Sequence, residues 1–189
     1  MSSTKPEPDR LRTWRAFLES HVAVVGRLED ELQNTHHLSL AGYEVLLRLA
    51  EAPGGRLRMH DLVSCALMTK SGVTRLVDRM EAEGLLCRES CPSDRRGAYA
   101  VLTPEGRHRL RRAAPTHLEG IEEHFTRHLS DEEAAAMDAA LKRIRAALPG
   151  RRPIPGGCDG SAALTGELLS GQEPSPAAGP PLEDSLPTV

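Results

Sequence analysis

Aromatic side chains are scarce in this 189-residue chain, which has one Trp, two Tyr and two Phe, or 3% of its residues. Hydrophobic residues nevertheless make up 39% of the chain, so the core must be built mainly from Leu, Val, Ala and Met. Because Leu and Ala favour helix over sheet, this composition predicts a mainly helical protein. A chain of this length commonly forms one domain, or one domain and a tail.

Long apolar runs are also missing, since no stretch approaches the roughly 18 uncharged apolar residues of a membrane span. Residues 1–12 lack the apolar core of a secretory signal. The sequence contains no Gly-rich phosphate loop, no H-E-x-x-H motif and no nucleophile elbow. The four cysteines show neither C-x-x-C spacing nor a disulfide framework. We therefore expect a cytoplasmic protein that needs no membrane and no cofactor and is not an enzyme.

The chain has no overall positive charge, because its formal net charge is −3. The whole excess lies in residues 150–189, which hold two arginines against five carboxylates. Residues 84–112, in contrast, hold seven arginines against three carboxylates. A local basic stripe in a neutral body is suited to phosphate binding, although a solvated basic helix face would have the same charge.

Residues 150–189 also differ from the rest of the chain in composition, with seven Gly and seven Pro among 40 residues. Such a segment cannot bury enough apolar surface to offset the entropy lost on ordering. We predict a disordered Pro/Gly/Ala-rich tail, within which residues 164–169 could form at most a transient helix or a docking motif. Residues 1–10 are predicted to be a flexible N-terminus.

Apolar residues recur at spacings of three and four over residues 11–35, which predicts a long first helix. The same periodicity, with Ser, Thr and Gly as caps, predicts further helices at about 40–52, 59–66, 69–83, 104–129 and 131–148. Pro115 should kink or interrupt the helix that contains it. Residues 85–90 and 98–102 are predicted strands, joined by a polar turn at 91–97.

The order helix, tight turn, helix, hairpin, helix is that of a winged helix-turn-helix. In the helix at 69–83, apolar residues at i, i+3, i+4 and i+7 predict a buried face of Val73, Leu76, Val77 and Met80. A helix that enters a major groove needs small, hydroxyl and arginine side chains on its other surface. That surface carries Ser71, Gly72, Thr74, Arg75, Asp78 and Arg79. An ordinary amphipathic helix would have the same apolar pattern.

The predicted hairpin turn contains Asp94, Arg95 and Arg96. Two arginines at an exposed turn are suited to a minor groove, whose negative potential attracts them. Asp94 can pair with one guanidinium and fix its direction. The residue pattern by itself therefore points to Ser71, Gly72, Thr74 and Arg75 on the helix, and to Arg95 and Arg96 at the turn, as candidate contacts to double-stranded DNA.

The run from Thr69 to Leu86, followed by Asp-Arg-Arg-Gly at 94–97 and Leu-Thr-Pro-Glu-Gly at 102–106, closely resembles the MarR family of bacterial regulators. The resemblance covers about residues 11–148. It implies a winged helix-turn-helix at about 40–103, with helices at about 11–35 and 104–148 that form an intertwined homodimer. Two recognition helices would then enter successive major grooves of a pseudo-palindromic DNA site. The resemblance implies, by position, that the DNA-contacting residues are Ser71, Gly72, Thr74, Arg75 and Arg79 on the recognition helix and Asp94, Arg95 and Arg96 on the wing.

The resemblance also implies a repressor that is released by a small molecule, often phenolic or aromatic. Such a ligand would bind between the dimer helices and the DNA-binding lobe. By helix position, the candidate lining residues are Trp14, His21, Tyr43 and Arg48. Core packing for the two aromatic residues and a surface or dimer ion pair for the arginine are the simpler alternatives.

Two other kinds of function remain open at this stage. A redox-responsive regulator of the same fold would use Cys87 or Cys91 beside the wing, although inert thiols are the simpler interpretation. A protein-interaction module that has lost operator binding is disfavoured by Arg75, Arg95 and Arg96.

A metal-responsive regulator is a further alternative. His124 and His128 are predicted to share a helix face at i, i+4, and His36 and His37 could approach them in a dimer. No set of cysteines and carboxylates accompanies these histidines, so the sequence predicts no metal site.

Overall fold

The computed structural model describes residues 7–65, 70–91 and 94–148, with side chains for all of these except residues 8, 64, 65, 70, 91 and 94–97. The predicted tail, most of the predicted flexible N-terminus and the predicted cap Thr69 lie outside the described residues. Within them the chain forms six α-helices and three strands: α1 (Pro8–His36), α2 (Leu40–Glu51), β1 (Arg56–Arg58), α3 (Met59–Cys65), α4 (Lys70–Ala82), β2 (Leu86–Cys91), β3 (Asp94–Leu102), α5 (Pro104–His124) and α6 (Asp131–Ala147).

The predicted mainly helical fold with a β-hairpin is confirmed, and two helices, α5 and α6, begin at predicted caps. The Thr103 hydroxyl accepts the N–H of Gly106 at 3.0 Å at the start of α5. Ser130 and Glu133 form the predicted capping box of α6. Gly84 has φ of 72°, a left-handed conformation that glycine adopts without strain and that ends the α4 segment.

Helix α5 continues through Pro115, so the predicted interruption at this residue does not occur. The helix ends at His124 instead of near residue 129. Phe125 leaves the helical conformation, and a 3₁₀ turn follows at Thr126–His128. Apolar residues continue at helical spacing through this turn, so the sequence pattern did not indicate that the helix ends there.

The hydrophobic core lies between the C-terminal half of α1, helices α2 and α4, the inner face of the sheet and α5. Leucine and valine dominate it, as the scarcity of aromatic residues requires. The largest fully buried side chains are Tyr43, Leu32, Leu46, Leu49, Leu62, Met80, Leu85, Leu86, Leu110, Val73 and Val77.

The three strands form an antiparallel sheet in the order β1-β3-β2. Strand β1 was missed by the sequence analysis, because three residues are too few to show an alternating pattern. Strand β3 is longer than predicted, since it begins at Asp94 and not at Ala98. The pairing is irregular between Ser90 and Cys91, which accommodates the extra residues of β3.

The apolar stripe of α1 is only half covered by its own chain. Leu28 and Leu32 are buried in the core, whereas Leu11, Trp14, Leu18 and Val22 are between 41% and 70% exposed. Ile144 in α6 is also exposed. Contiguous apolar surface of this kind marks an interaction face.

Candidate nucleic-acid interface

Helix α4 is anchored in the core by the face that its apolar spacing predicted. Val73 and Val77 are fully buried, and Leu76 and Met80 are nearly so. This anchoring fixes the rotation of the helix about its own axis. The opposite face is therefore held towards solvent.

The outward face of α4 carries the predicted DNA-contacting residues. Ser71, Thr74, Arg75 and Arg79 are exposed, and Gly72 is half-buried. Hydroxyl groups and a guanidinium on two successive turns can bond to phosphates and to base edges in a major groove. The structure thus brings these five residues onto one accessible helix surface.

Arg79 differs from Arg75 in its surroundings. Its Nη2 atom lies 3.5 Å from the hydroxyl of Ser39, the residue that caps α2. Its Nε atom lies 3.9 Å from a carboxylate oxygen of Glu83. These two neighbours orient the Arg79 guanidinium towards the junction of α2 and α4.

Arg88 joins helix α4 to the hairpin of β2 and β3, which is the predicted wing. It was not among the residues singled out from the sequence. From β2 it donates to Asp78 at 2.6 Å and to Glu81 at 2.5 Å, while its backbone N–H donates to Glu81 at 2.9 Å. The hydrogen bond to Asp78 is the main reason that the pKa of Arg88 is raised. Strand alternation was a usable signal, because it places Arg88 on the inner side with Leu86.

The segment Leu102–Gly106 links α5 to the turn between α4 and β2. The Thr103 hydroxyl donates to the carbonyl of Gly84 at 2.7 Å, and the Thr103 N–H donates to the carbonyl of Leu85 at 3.3 Å. A Cβ on Gly106 would run into the carbonyl oxygen of Leu85, so only glycine fits there. The Leu-Thr-Pro-Glu-Gly motif therefore has a structural role in joining two parts of the fold.

The predicted wing residues Asp94, Arg95 and Arg96 lie within β3, which corrects their predicted location in a turn. Their side chains lie outside the described part of the chain. Their contact with DNA, and the pairing of Asp94 with an arginine, remain predictions.

The four predicted ligand-pocket residues occupy two different surroundings in the single chain. Trp14 and His21 are exposed on α1, in a stacked series with Phe17. A core position for Trp14 is therefore wrong within one chain. Tyr43 is fully buried in α2, and Arg48 is half-buried and pairs with Glu44 at 3.2 Å.

The buried ring of Tyr43 packs against His117 of α5, a residue that the sequence analysis did not single out. Their ring centroids are 4.3 Å apart. Neither the Tyr43 hydroxyl nor the His117 Nδ1 atom has a hydrogen-bond partner among the described residues. Burial raises the pKa of Tyr43 and lowers the pKa of His117, so both side chains are neutral near pH 7.

The predicted pairing of His124 and His128 on one helix face is wrong, because α5 ends at His124 and His128 lies in the following turn. His124 instead contacts Glu31 of α1 at 2.5 Å. His36 contacts the Thr116 hydroxyl at 2.8 Å. Among the described residues, no group of three or more His, Cys, Asp and Glu side chains is arranged to hold a metal ion.

Cys87 is a free, exposed thiol in β2, whereas the side chain of Cys91 lies outside the described part.

None of the helices in the described ranges combines the length and the apolar character needed to cross a bilayer.

In the comparisons with known proteins, a family model, a sequence relative and solved structures all point to transcriptional regulators. The sequence model of the MarR family matches residues 38–97, from the start of α2 into the wing. The transcriptional regulator HosA of Escherichia coli O111:H- is 33% identical over 119 residues, which are 63% of this chain and 82% of HosA.

Solved structures show the same similarity. Sco3205, a MarR family transcriptional regulator from Streptomyces coelicolor in complex with DNA, matches with a TM-score of 0.74 and 31% identity, over 79% of this chain and 93% of that one. AbsC, a MarR family regulator from the same organism, matches with a TM-score of 0.70 and 36% identity, over 76% of this chain and 97% of that one.

Proposed function

This chain belongs to the MarR family and is a transcriptional regulator, not an enzyme; from that premise we propose that it is a repressor that binds a pseudo-palindromic DNA duplex as a homodimer. The observation that carries the proposal is the α4 surface. Its buried face fixes the helix in the core, and Ser71, Thr74 and Arg75 are thereby held on the outside. Sco3205, which shares this architecture, has been solved in complex with DNA.

The two parts of the interface have different tasks in this proposal. Arg75 reads bases in the major groove, where a guanidinium can form a bidentate pair with guanine. Arg96 in the wing binds the negative potential of the neighbouring minor groove. The ion pairs of Arg88 with Asp78 and Glu81 couple the two parts, so that both engage one site together.

Selection of bound sequences from random duplex DNA, followed by anisotropy titration of the consensus and its variants, tests this proposal. We expect Arg75→Ala to relax base preference, with a loss of about 1–3 kcal/mol of discrimination at one position. Arg96→Ala should weaken binding to most sequences by a similar factor. Unchanged affinity in both variants would contradict the assignment, and an unchanged oligomeric state is the control for folding.

The homodimer is supported by the exposed apolar stripes. Leu11, Leu18 and Val22 continue a stripe whose C-terminal part is buried, and Ile144 adds a second apolar surface on α6. A second copy of the chain would bury both surfaces. In such a dimer the two α4 helices would enter major grooves about one DNA turn apart.

A small-molecule effector would act where the dimer helices meet the DNA-binding lobe. Tyr43 on α2 and His117 on α5 meet at this junction, and both carry a buried polar atom that could bond to a phenolic or aromatic ligand. Trp14 and His21 belong to the same proposal only if the second protomer brings α1 close to α2. A screen of phenolic acids for a rise in Tm and for release of DNA tests this role. If a ligand raises the Tm of Tyr43→Phe as much as that of the wild type, the Tyr43 hydroxyl does not bond to the ligand.

A further inference from the structure

The outer face of the sheet carries a cationic group that lies outside both α4 and the wing turn. Arg56 and Arg58 of β1 extend over the ring of Tyr99 in β3, with their guanidinium carbons 5.1 Å and 5.6 Å from the ring centroid. Arg58 and Tyr99 are direct cross-strand partners. Leu57 between the two arginines points the other way, towards the core. We call Arg56, Arg58 and Tyr99 the β1 arginine cluster.

Tyr99 restrains both arginines, because a guanidinium is attracted to the face of an aromatic ring. The carboxylate of Glu89 on β2 lies 3.8 Å from Arg56, and both members of this pair are about half exposed, so water screens it. The cluster thus places two guanidinium groups side by side at one edge of the sheet. A polyanion that approaches this edge is attracted by both charges.

The β1 arginine cluster is continuous with the wing. Strand β3 runs from Asp94 to Leu102 and contains both the wing arginines and Tyr99. At a rise of roughly 3.3 Å per residue, Arg96 is about 10 Å from Tyr99 along the strand. Phosphates recur about every 3.4 Å of helix axis on each DNA strand. A wing that contacts DNA therefore brings the cluster within a few phosphates of its own contact.

We infer that Arg56 and Arg58, held by Tyr99, bind phosphates of the duplex on the far side of the wing and so lengthen the DNA interface of each protomer. The inference rests on the proposed DNA-binding function. Guanidinium groups form bidentate bonds with phosphate and lose little freedom when they are already oriented. Because phosphates are the same at every step, the cluster adds affinity and salt dependence but no base preference. Glu89 competes with phosphate for Arg56 and limits the gain.

The test is the salt dependence of DNA affinity, measured with the full chain by fluorescence anisotropy on the selected operator and on a random duplex. Each phosphate contact contributes about −0.9 to the slope of log affinity against log salt. Arg56→Ala/Arg58→Ala should therefore make this negative slope shallower by about 1.8 and weaken binding to both duplexes about tenfold or more near 0.1 M salt. The ratio of operator to random affinity should not change.

Three further variants sharpen the test. Glu89→Gln should strengthen binding to both duplexes, because it removes the carboxylate that competes with phosphate for Arg56. This increase in affinity tests the cluster even if the double variant folds poorly. Tyr99→Phe keeps the ring and should bind like the wild type, whereas Tyr99→Leu should bind more weakly. Arg127→Ala is the matched control, because this arginine is also exposed and paired with a carboxylate but lies beyond α5.

The results separate this inference from the proposed function. If the double variant keeps the wild-type slope while Arg75→Ala still relaxes base preference, the cluster does not bind DNA and the regulator assignment stands. If the wild type binds no duplex, the proposed function itself fails. A reduced slope in the double variant, with an unchanged slope in Arg127→Ala, supports the cluster as a phosphate-binding surface.

Discussion

His117 is a titratable residue in an apolar setting, between the ring of Tyr43 and the rest of the core. It is only 6% exposed, and burial lowers its pKa from the usual 6.5. A charged imidazole here would have no compensating partner among the described side chains that contact it. The residue therefore stays neutral in the folded chain at a pH where the unfolded chain is protonated.

This difference predicts that the free energy of unfolding decreases as the pH falls below about 6.5. Above that value neither state binds the proton, so His117 has no effect; below it only the unfolded chain is protonated, until the pH reaches the lower folded pKa. The loss is at most about 1.4 kcal/mol per pH unit for this one group. Urea unfolding at pH 7.5 and pH 5.5 measures it.

His117→Phe should lose less stability than the wild type between these two pH values, because the variant lacks the titrating group. His36, whose pKa is also lowered by burial and by Arg112 and Arg109, is present in both proteins and cancels in the comparison. Equal losses in the two proteins would show that His117 does not titrate in this range.

Among the elements, α4 and β2 are joined by Arg88 in addition to their shared core packing. The guanidinium is about a quarter exposed and bonds to carboxylates on two successive turns of α4. Without it, Asp78 and Glu81 would be left close to each other and close to the exposed α4 surface that we propose binds DNA. Arg88 therefore adds a polar contact and charge balance to the apolar packing that already joins α4 and β2 in the core.

We predict that Arg88→Ala lowers the free energy of unfolding by about 1–2 kcal/mol, since charge-assisted hydrogen bonds in a partly buried network exceed the usual surface pair. DNA affinity should fall on specific and random duplexes alike, because the two uncompensated carboxylates repel phosphate. Urea unfolding and anisotropy titration measure the two effects.

Arg88→Lys is the matched variant for this prediction. It keeps the charge but cannot reach two carboxylates with one planar fork, so it should lie between Arg88→Ala and the wild type. Arg127→Ala removes an exposed pair with Glu123. If Arg88→Ala changes the free energy of unfolding and the DNA affinity no more than Arg127→Ala does, the bonds of Arg88 to α4 contribute no more than a surface ion pair.

In the whole molecule, α1 extends well beyond the core that its own chain provides. Its 29 residues span about 43 Å at 1.5 Å per residue, and the apolar stripe is buried only towards the C-terminal end. A second protomer is the partner that we propose for the remainder. The distance between the two recognition helices would then depend on how these stripes pack.

We predict that Val22→Glu and Ile144→Glu each shift the protein from dimer to monomer, because a buried carboxylate without a partner is strongly unfavourable. Sedimentation velocity over a range of concentrations measures the shift. Gln33→Glu, at an exposed polar position on α1, should leave the dimer unchanged. A wild type that sediments as a monomer at micromolar concentration would contradict the proposed dimer.

Periodicity and capping residues determined most of the fold. The buried face of α4, the capping box at Ser130 and the left-handed Gly84 were all readable from the sequence because each depends on residues within a few positions of one another. The exposed residues of α4, which are the proposed DNA contacts, followed from the same pattern, since a fixed buried face leaves one exposed face.

Long-range contacts were decided only by the tertiary structure. The bonds of Arg88 to α4, the packing of Tyr43 on His117 and the arrangement of Arg56 and Arg58 over Tyr99 each join residues that are distant in the chain or depend on strand register. Strand β1 and the true start of β3 were missed for the same reason, since strands are stabilised by partners elsewhere in the chain. The sequence thus determined which face of α4 is exposed and carries the proposed DNA contacts, and the tertiary structure determined which residues hold that helix in place and which lie beside it.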